Sequence, residues 1–169
     1  MTSSRKCLYL GCGSDKRQST DEEEWINVDI REEVNPDLVW DMEKTPYPFK
    51  VQEFDLILLK DSLEHVSYHK VEDVIKECHR LLKPGGKLLI QCPDLEAIAH
   101  KVILHPERGA DYKALSYWIY GAQDHKHNYH KSGFTMKALR NLLERHGFKI
   151  ESMKNDGGTN LLAEATKIA

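Results

Sequence analysis

Gly11-Cys12-Gly13 ends the apolar run Leu8-Tyr9-Leu10, and two later apolar runs, Trp25 to Ile30 and Asp37 to Trp40, place aspartates at or just past their ends, Asp29 and Asp41. Glycines at the end of a first strand let the backbone approach a ligand closely, and an acid at the end of the second can accept hydrogen bonds from both hydroxyls of a ribose. The pattern is that of a nucleoside site. A dinucleotide site would carry Gly-x-Gly-x-x-Gly, the last glycine packing a helix whose N-terminus receives a pyrophosphate. Lys16 stands at that position, and Asp15 sets a negative charge where the pyrophosphate would lie.

A nucleoside without phosphate and with a cationic centre, such as S-adenosylmethionine, suits this acidic rim. Further along, Leu63-Glu64-His65-Val66 follows the apolar run Phe54 to Leu59. An imidazole with an ordinary pKa near 6.5 is suited to taking a proton from a hydroxyl, so His65 is the first candidate base, with packing or capping of a short helix as its structural alternative. Asp61 is the other candidate, with helix capping as its alternative. His125-x-His127-x-x-His130 lacks the helical His-Glu-x-x-His spacing of a zinc site, so no metal is expected, and Tyr129 and His130 are read as substrate contacts, with plain structural packing as the alternative. Trp25 and Trp40 are placed to flank a base or to fill the core.

These groups need a sheet to position them. Short strands are predicted at Lys6 to Leu10, Trp25 to Ile30, Asp37 to Trp40, Phe54 to Leu59 and Lys87 to Cys92. A helix from about His69 to Leu82 buries Val71, Val74, Ile75, Cys78, Leu81 and Leu82, and Lys83-Pro84-Gly85-Gly86 stops it. Asp94 is expected to cap a helix over Leu95 to Ile103, and Thr135 another that ends at Gly147. Phe148 to Met153 and Asn160 to Thr166 read as two final strands. Alternation of this kind means a mostly parallel sheet flanked by helices. Two departures stand out: the charged stretch from Gly11 to Glu24 has no apolar stripe, so the first helix is vestigial or missing, and Pro106 to Ser132 reads as a long aperiodic loop rich in aromatics and histidine.

The chain has 169 residues and a net charge of −3, enough for one domain, 1–169, and without the basic face that nucleic acid binding requires. No apolar run approaches the ~20 residues of a membrane span, and the start carries no secretory apolar segment, so a cytoplasmic location is expected. Cys7, Cys12, Cys78 and Cys92 stand singly in or beside apolar runs and are read as buried thiols.

With Leu-Gly-Cys-Gly at 10–13, Trp-Ile-Asn-Val-Asp at 25–29, Trp-Asp-Met-Glu at 40–43, Phe-Asp-Leu-Ile at 54–57 and Leu-Leu-Lys-Pro-Gly-Gly-Lys-Leu at 81–88, the chain resembles the class I S-adenosylmethionine-dependent methyltransferases. Leu-Glu-His-Val at 63–66, Pro-Asp-Leu-Glu at 93–96, Tyr-Gly-Ala-Gln at 120–123 and His-Lys-Ser-Gly-Phe at 130–134 resemble the small type 11 group linked to cell-surface polysaccharide synthesis. The resemblance implies a Rossmann-like α/β fold: a seven-stranded, mostly parallel sheet with an antiparallel last strand. It implies S-adenosylmethionine as cofactor, with Gly11, Cys12 and Gly13 beside the methionine moiety, Asp29 and Ile30 at the ribose, Asp41 and Met42 at the adenine edge, and Lys60 and Asp61 beside the transferred methyl. His65, Asp61 and His130 are then the catalytic candidates, acting on a small-molecule or saccharide acceptor, with 94–134 as a substrate-side insertion. A third glycine of the wider superfamily is replaced by Asp15, and helices before the first strand are missing, which leaves one wall of the pocket to residues 106–132 or to a second subunit of a homodimer. The alternative reading is a non-catalytic, methyltransferase-like binding or assembly module.

Overall fold

A computed structural model describes residues 4–109 and 111–168. Seven strands form one sheet: β1 (Arg5–Leu10), β2 (Glu23–Asp29), β3 (Leu38–Val39), β4 (Phe54–Lys60), β5 (Leu82–Pro93), β6 (Phe148–Asn155) and β7 (Asn160–Lys167), in the order β3-β2-β1-β4-β5-β7-β6. The first five pair in parallel, whereas β7 runs antiparallel to both β5 and β6. This is the Rossmann-like arrangement that the sequence predicts, antiparallel last strand included.

Parallel pairing in register lines up apolar side chains across the sheet. Leu8, Ile57, Leu88 and Ala165 form one row and Leu10, Leu59, Ile90 and Ala163 the next, every member buried. α1 (Val71–Leu81) buries Val74, Ile75, Cys78 and Leu81 in the same core, and α5 (Met136–Arg145) adds Leu139, Leu142 and Leu143. Burying one such side chain contributes about 1.5–3 kcal/mol, so these rows set the strand register firmly. The side chain of Thr135 caps α5 through the amide of Ala138, and that of Asp94 caps α2 (Leu95–Leu104) through the amides of Glu96 and Ala97, as expected. The turn expected at Lys83–Gly86 is a bulge within β5: Leu82 pairs with Phe54 and Lys87 with Leu56.

No helix joins β1 to β2. Residues 14–22 instead run across the side of β2, where Asn27 accepts from the amide of Arg17 at 2.8 Å and donates to its carbonyl at 3.0 Å, and Ser19 Oγ accepts from the amide of Trp25 at 2.9 Å. The aperiodic loop expected at Pro106–Ser132 needs correction. It contains α3 (Pro106–Gly109) and α4 (Tyr112–Tyr120), the latter capped by Asp111. No residue of α4 is buried, and Tyr112, Tyr117 and Tyr120 face solvent, so its helical period leaves no apolar stripe to read. The segment leaves and rejoins the sheet at one place, where Asp94 bridges Phe134 beyond the end of β5.

Candidate active site

β2 and β4 flank β1 on opposite sides, so the chain changes direction across the sheet there, the place where open α/β sheets bind ligands beyond their carboxyl ends. A cleft of about 390 Å³ lies at that position. Small-molecule sites run from about 300 to 1,000 Å³, so its size suits a nucleoside-sized ligand. It brings together Gly11, Cys12, Gly13, Asp29, Ile30, Asp41, Met42, Lys60, Asp61 and His65, all singled out in the sequence.

One carboxylate organises its floor. Asp29, 6% exposed, accepts from the Gly13 amide at 2.7 Å through Oδ2 and from the Arg31 amide at 2.9 Å through Oδ1, with Arg31 Nε at 3.2 Å. It thereby draws the glycine turn onto the end of β2. Each carboxylate oxygen has two acceptor positions; Arg31 takes both on Oδ1, which leaves one on Oδ2 for a ligand hydroxyl and a second where the 3.2 Å contact of Arg31 Nε gives way. Gly11 and Gly13 have φ of +71° and +52°, and a Cβ on Gly11 would lie 2.5 Å from Ser62 Cβ and 3.4 Å from Met42 Cε. The cleft wall is thus closed to any side chain at position 11. Gly11→Ala is expected to cost about 3 kcal/mol in left-handed strain and overpacking, and to lower Tm by about 6–12 °C, read by calorimetry of the two proteins.

The fit to S-adenosylmethionine rests on these features. The glycine turn leaves room for close approach, Asp29 lines the cleft at the end of β2, and Ser62 offers a buried hydroxyl there whose Oγ has no hydrogen-bond partner. Buried polar groups normally find partners, so an orphan facing a cleft marks a place for a ligand atom. Cys12 contributes its backbone, the amide donating to Val28 at 3.0 Å, while burial, with Asp29 adding to it, pushes its thiol up to about 11 and keeps it protonated. Lys60 is paired with Asp15 at 2.7 Å, and this contact holds the Asp15 carboxyl below its usual range. Trp40 lines the cleft and Trp25 does not.

The open wall is closed by the chain itself: Asp124, His125, His127, Asn128 and Lys131 line the cleft. His125 Nε2 lies 3.2 Å from the Arg31 guanidinium, and Lys131 Nζ reaches Glu43 at 3.0 Å, so the rim is tied to β2 and to the segment after β3.

His65 follows β4 in a short 3-10 turn, Leu63–His65. Its Nδ1 lies 3.1 Å from the Tyr129 carbonyl, and burial lowers its pKa, so the ring is neutral near pH 7. Asp61, at φ +50°, points its carboxylate to Gln91 Nε2 at 3.0 Å. His130 is not a cleft residue. It lines a second cavity of about 240 Å³ with Glu64, Pro93, Leu95 and Ile119, and its ring centre is 5.2 Å from that of His65. Burial lowers its pKa too. His125, His127 and His130 therefore do not converge on one point.

Sequence reasoning missed Glu64 and Ser62. Glu64 is 2% exposed, and burial raises its carboxyl to about 8. Its Oε2 has no hydrogen-bond partner, while its carbonyl accepts the amides of Lys131 and Ser132 at 2.8 and 3.1 Å. The one signal was an acid set between Leu63 and the imidazole of a mostly apolar turn.

Comparison with known proteins agrees with this architecture. The methyltransferase-domain family matches residues 4–153, and the chain belongs to it. Its fold is that of the class I S-adenosylmethionine-dependent methyltransferases, and family and fold together imply S-adenosylmethionine as cofactor. A curated methyltransferase of Encephalitozoon cuniculi is 32% identical over 104 residues, 61% of this chain, and the match spans 48% of that relative's length. A methyltransferase structure from Methanosarcina mazei superposes with a TM-score of 0.68 at 19% identity, covering 99% of this chain and 94% of the other. One from Mesorhizobium loti gives 0.67 at 16% identity, covering 98% and 92%. Among the described residues no helix is long and apolar enough to cross a membrane.

Proposed function

We propose that this chain transfers the methyl group of S-adenosylmethionine to a hydroxyl of a small-molecule or saccharide acceptor, in keeping with its resemblance to the polysaccharide-linked group. The observation that carries the reading is one cleft holding both a nucleoside-binding half, Gly11 to Asp41, and a proton-accepting half, Asp61 and His65. The cofactor supplies an electrophilic methyl on a sulfonium. In this reading Asp29 holds the ribose hydroxyls with Ile30 beside it, Asp41 and Met42 meet the adenine edge, the 11–13 turn cradles the methionine moiety, and Lys60 and Asp61 border the methyl. The segment 94–134 forms the acceptor side of the single domain.

An acceptor hydroxyl must lose its proton as its oxygen forms the new bond to carbon, and the carbon–sulfur electron pair stays on sulfur. Asp61 and His65 are the two groups placed to receive that proton, and the enzyme's further work is to hold oxygen and methyl aligned in a site shielded from water. The four free buried thiols support a reducing, cytoplasmic setting.

Calorimetric titration with S-adenosylmethionine and a methyl-transfer assay over a panel of saccharides test the proposal. Binding with turnover supports it; binding without turnover on any acceptor favours the binding-module alternative, which the helix-free path from β1 to β2 suggests. Asp41→Ala is expected to weaken binding about tenfold, the equivalent of one lost hydrogen bond to a charged group, and to narrow discrimination against the inosine analogue. Unchanged discrimination would remove Asp41 from the adenine edge.

A further inference from the structure

We propose that Glu64, His65 and His130 hold a divalent transition-metal ion between the cleft and the second cavity, its open positions turned to the acceptor. The proposal rests on the methyltransferase reading for the identity of the acceptor and on the three side chains alone for the metal. A carboxylate oxygen of Glu64 and one ring nitrogen of each histidine lie within 4.8 Å of one another. Three ligands at about 2.1 Å from one zinc-like ion stand about 3.4–3.6 Å apart, so rotamer adjustments that bring the widest pair together by about 1.2–1.4 Å close the site.

Two further observations point to a ligand there. Oε2 of Glu64 is buried and has no partner, although the residue is 2% exposed. Buried polar atoms normally have partners, and a bound ion would supply the missing one. The imidazole of His65 is also oriented as that of a metal ligand is. His65 Nδ1 faces the Tyr129 carbonyl at 3.1 Å. Ligating histidines donate one ring N–H to such a carbonyl, which fixes the tautomer and frees the other nitrogen for the ion. The neighbouring ammonium of Lys131 is drawn away to Glu43 at 3.0 Å, so no fixed cation occupies the spot.

Two imidazoles and one carboxylate form the donor set of many catalytic metal sites, which bind with three protein ligands and keep a position open. Because His65 lines the cleft while Glu64 and His130 line the cavity behind it, that position faces the place assigned to the acceptor hydroxyl. With His65 bound to the ion, the proton of the acceptor falls to Asp61. This ligand set differs from the His125-x-His127-x-x-His130 spacing from which no metal was expected.

The test is uptake of Co2+ by the 169-residue chain after EDTA treatment, followed by visible absorption and by equilibrium dialysis against Zn2+. One equivalent per chain is expected, with affinity reduced tenfold or more in both Glu64→Gln and His130→Ala and unchanged in a variant of the exposed His100 of α2, His100→Ala. Should Glu64→Gln not fold, His130→Ala carries the test, since that ring is half-buried at a cavity rim. Absence of stoichiometric uptake, or equal uptake by parent and His130→Ala, overturns the site. Cofactor titration of the metal-free protein separates the two readings: S-adenosylmethionine binding without metal uptake rejects the metal alone, and metal uptake without cofactor binding rejects the methyltransferase reading alone.

Discussion

Asp29→Ala is expected to weaken S-adenosylmethionine binding by at least about 3 kcal/mol, more than a hundredfold in Kd. A hydrogen bond to a charged group contributes about 1.5–3 kcal/mol, and in the proposed pose the carboxylate at the end of β2 takes one ribose hydroxyl on Oδ2 and a second where Arg31 Nε, at 3.2 Å, gives way. The loss has a second source, because the same carboxylate fixes the Gly13 amide at 2.7 Å and the Arg31 amide at 2.9 Å. Its removal frees the glycine turn as well as the ribose contact. Asp29→Asn separates the two: the amide oxygen can still accept from one backbone N–H, so its turn should stay closer to the native position while the charged contacts are lost. Calorimetry of parent and both variants, with circular dichroism to confirm folding, measures the effect. Equal cofactor affinity in a folded Asp29→Ala protein would overturn the ribose assignment.

The other large effect is expected at Asp61. A positioned base contributes about 10²–10⁴ in rate, so Asp61→Asn should lower kcat by that factor while leaving the Kd of S-adenosylmethionine within about twofold, because its partner Gln91 can bond the new amide oxygen. His65→Gln is the companion. If His65 acts as metal ligand, its kcat falls together with Co2+ uptake, whereas Asp61→Asn loses kcat and keeps the metal. A full rate in Asp61→Asn would move the proton to His65.

Much of this site was legible because its parts lie at strand ends. Gly11, Asp29, Asp41 and Lys60 each close an apolar run or follow one directly, and parallel strands in register carry all of them to one edge of the sheet. α1 and α5 were legible for a similar reason, since each buries a single stripe. Glu64 was not. Its burial comes from segments distant in sequence, with the amides of Lys131 and Ser132 on its carbonyl and Pro93 and Leu95 around the cavity. His130 was read as a substrate contact from its company in the sequence, and only the return of the chain to Asp94 at Phe134 puts it behind the cleft beside Glu64. α4 escaped because a helix lying on the surface with its tyrosines outward has no core-facing period.

The route from β1 to β2 bears on how the cleft opens. A helix protects its amides with its own ladder, but the amide of Arg17 is held by the side chain of Asn27, and that of Gly13 by the side chain of Asp29. Amides held this way exchange with solvent when a single side chain lets go, without unfolding of the strand beneath, and they belong to the low-stability end of the molecule. This rim of the cleft therefore has an opening free energy of its own, set by two side chains of β2. A ligand that engages Asp29 raises it, so amide hydrogen exchange at Gly13 and Arg17 should slow on cofactor binding while exchange in the rows through Leu8 and Ile57 stays constant.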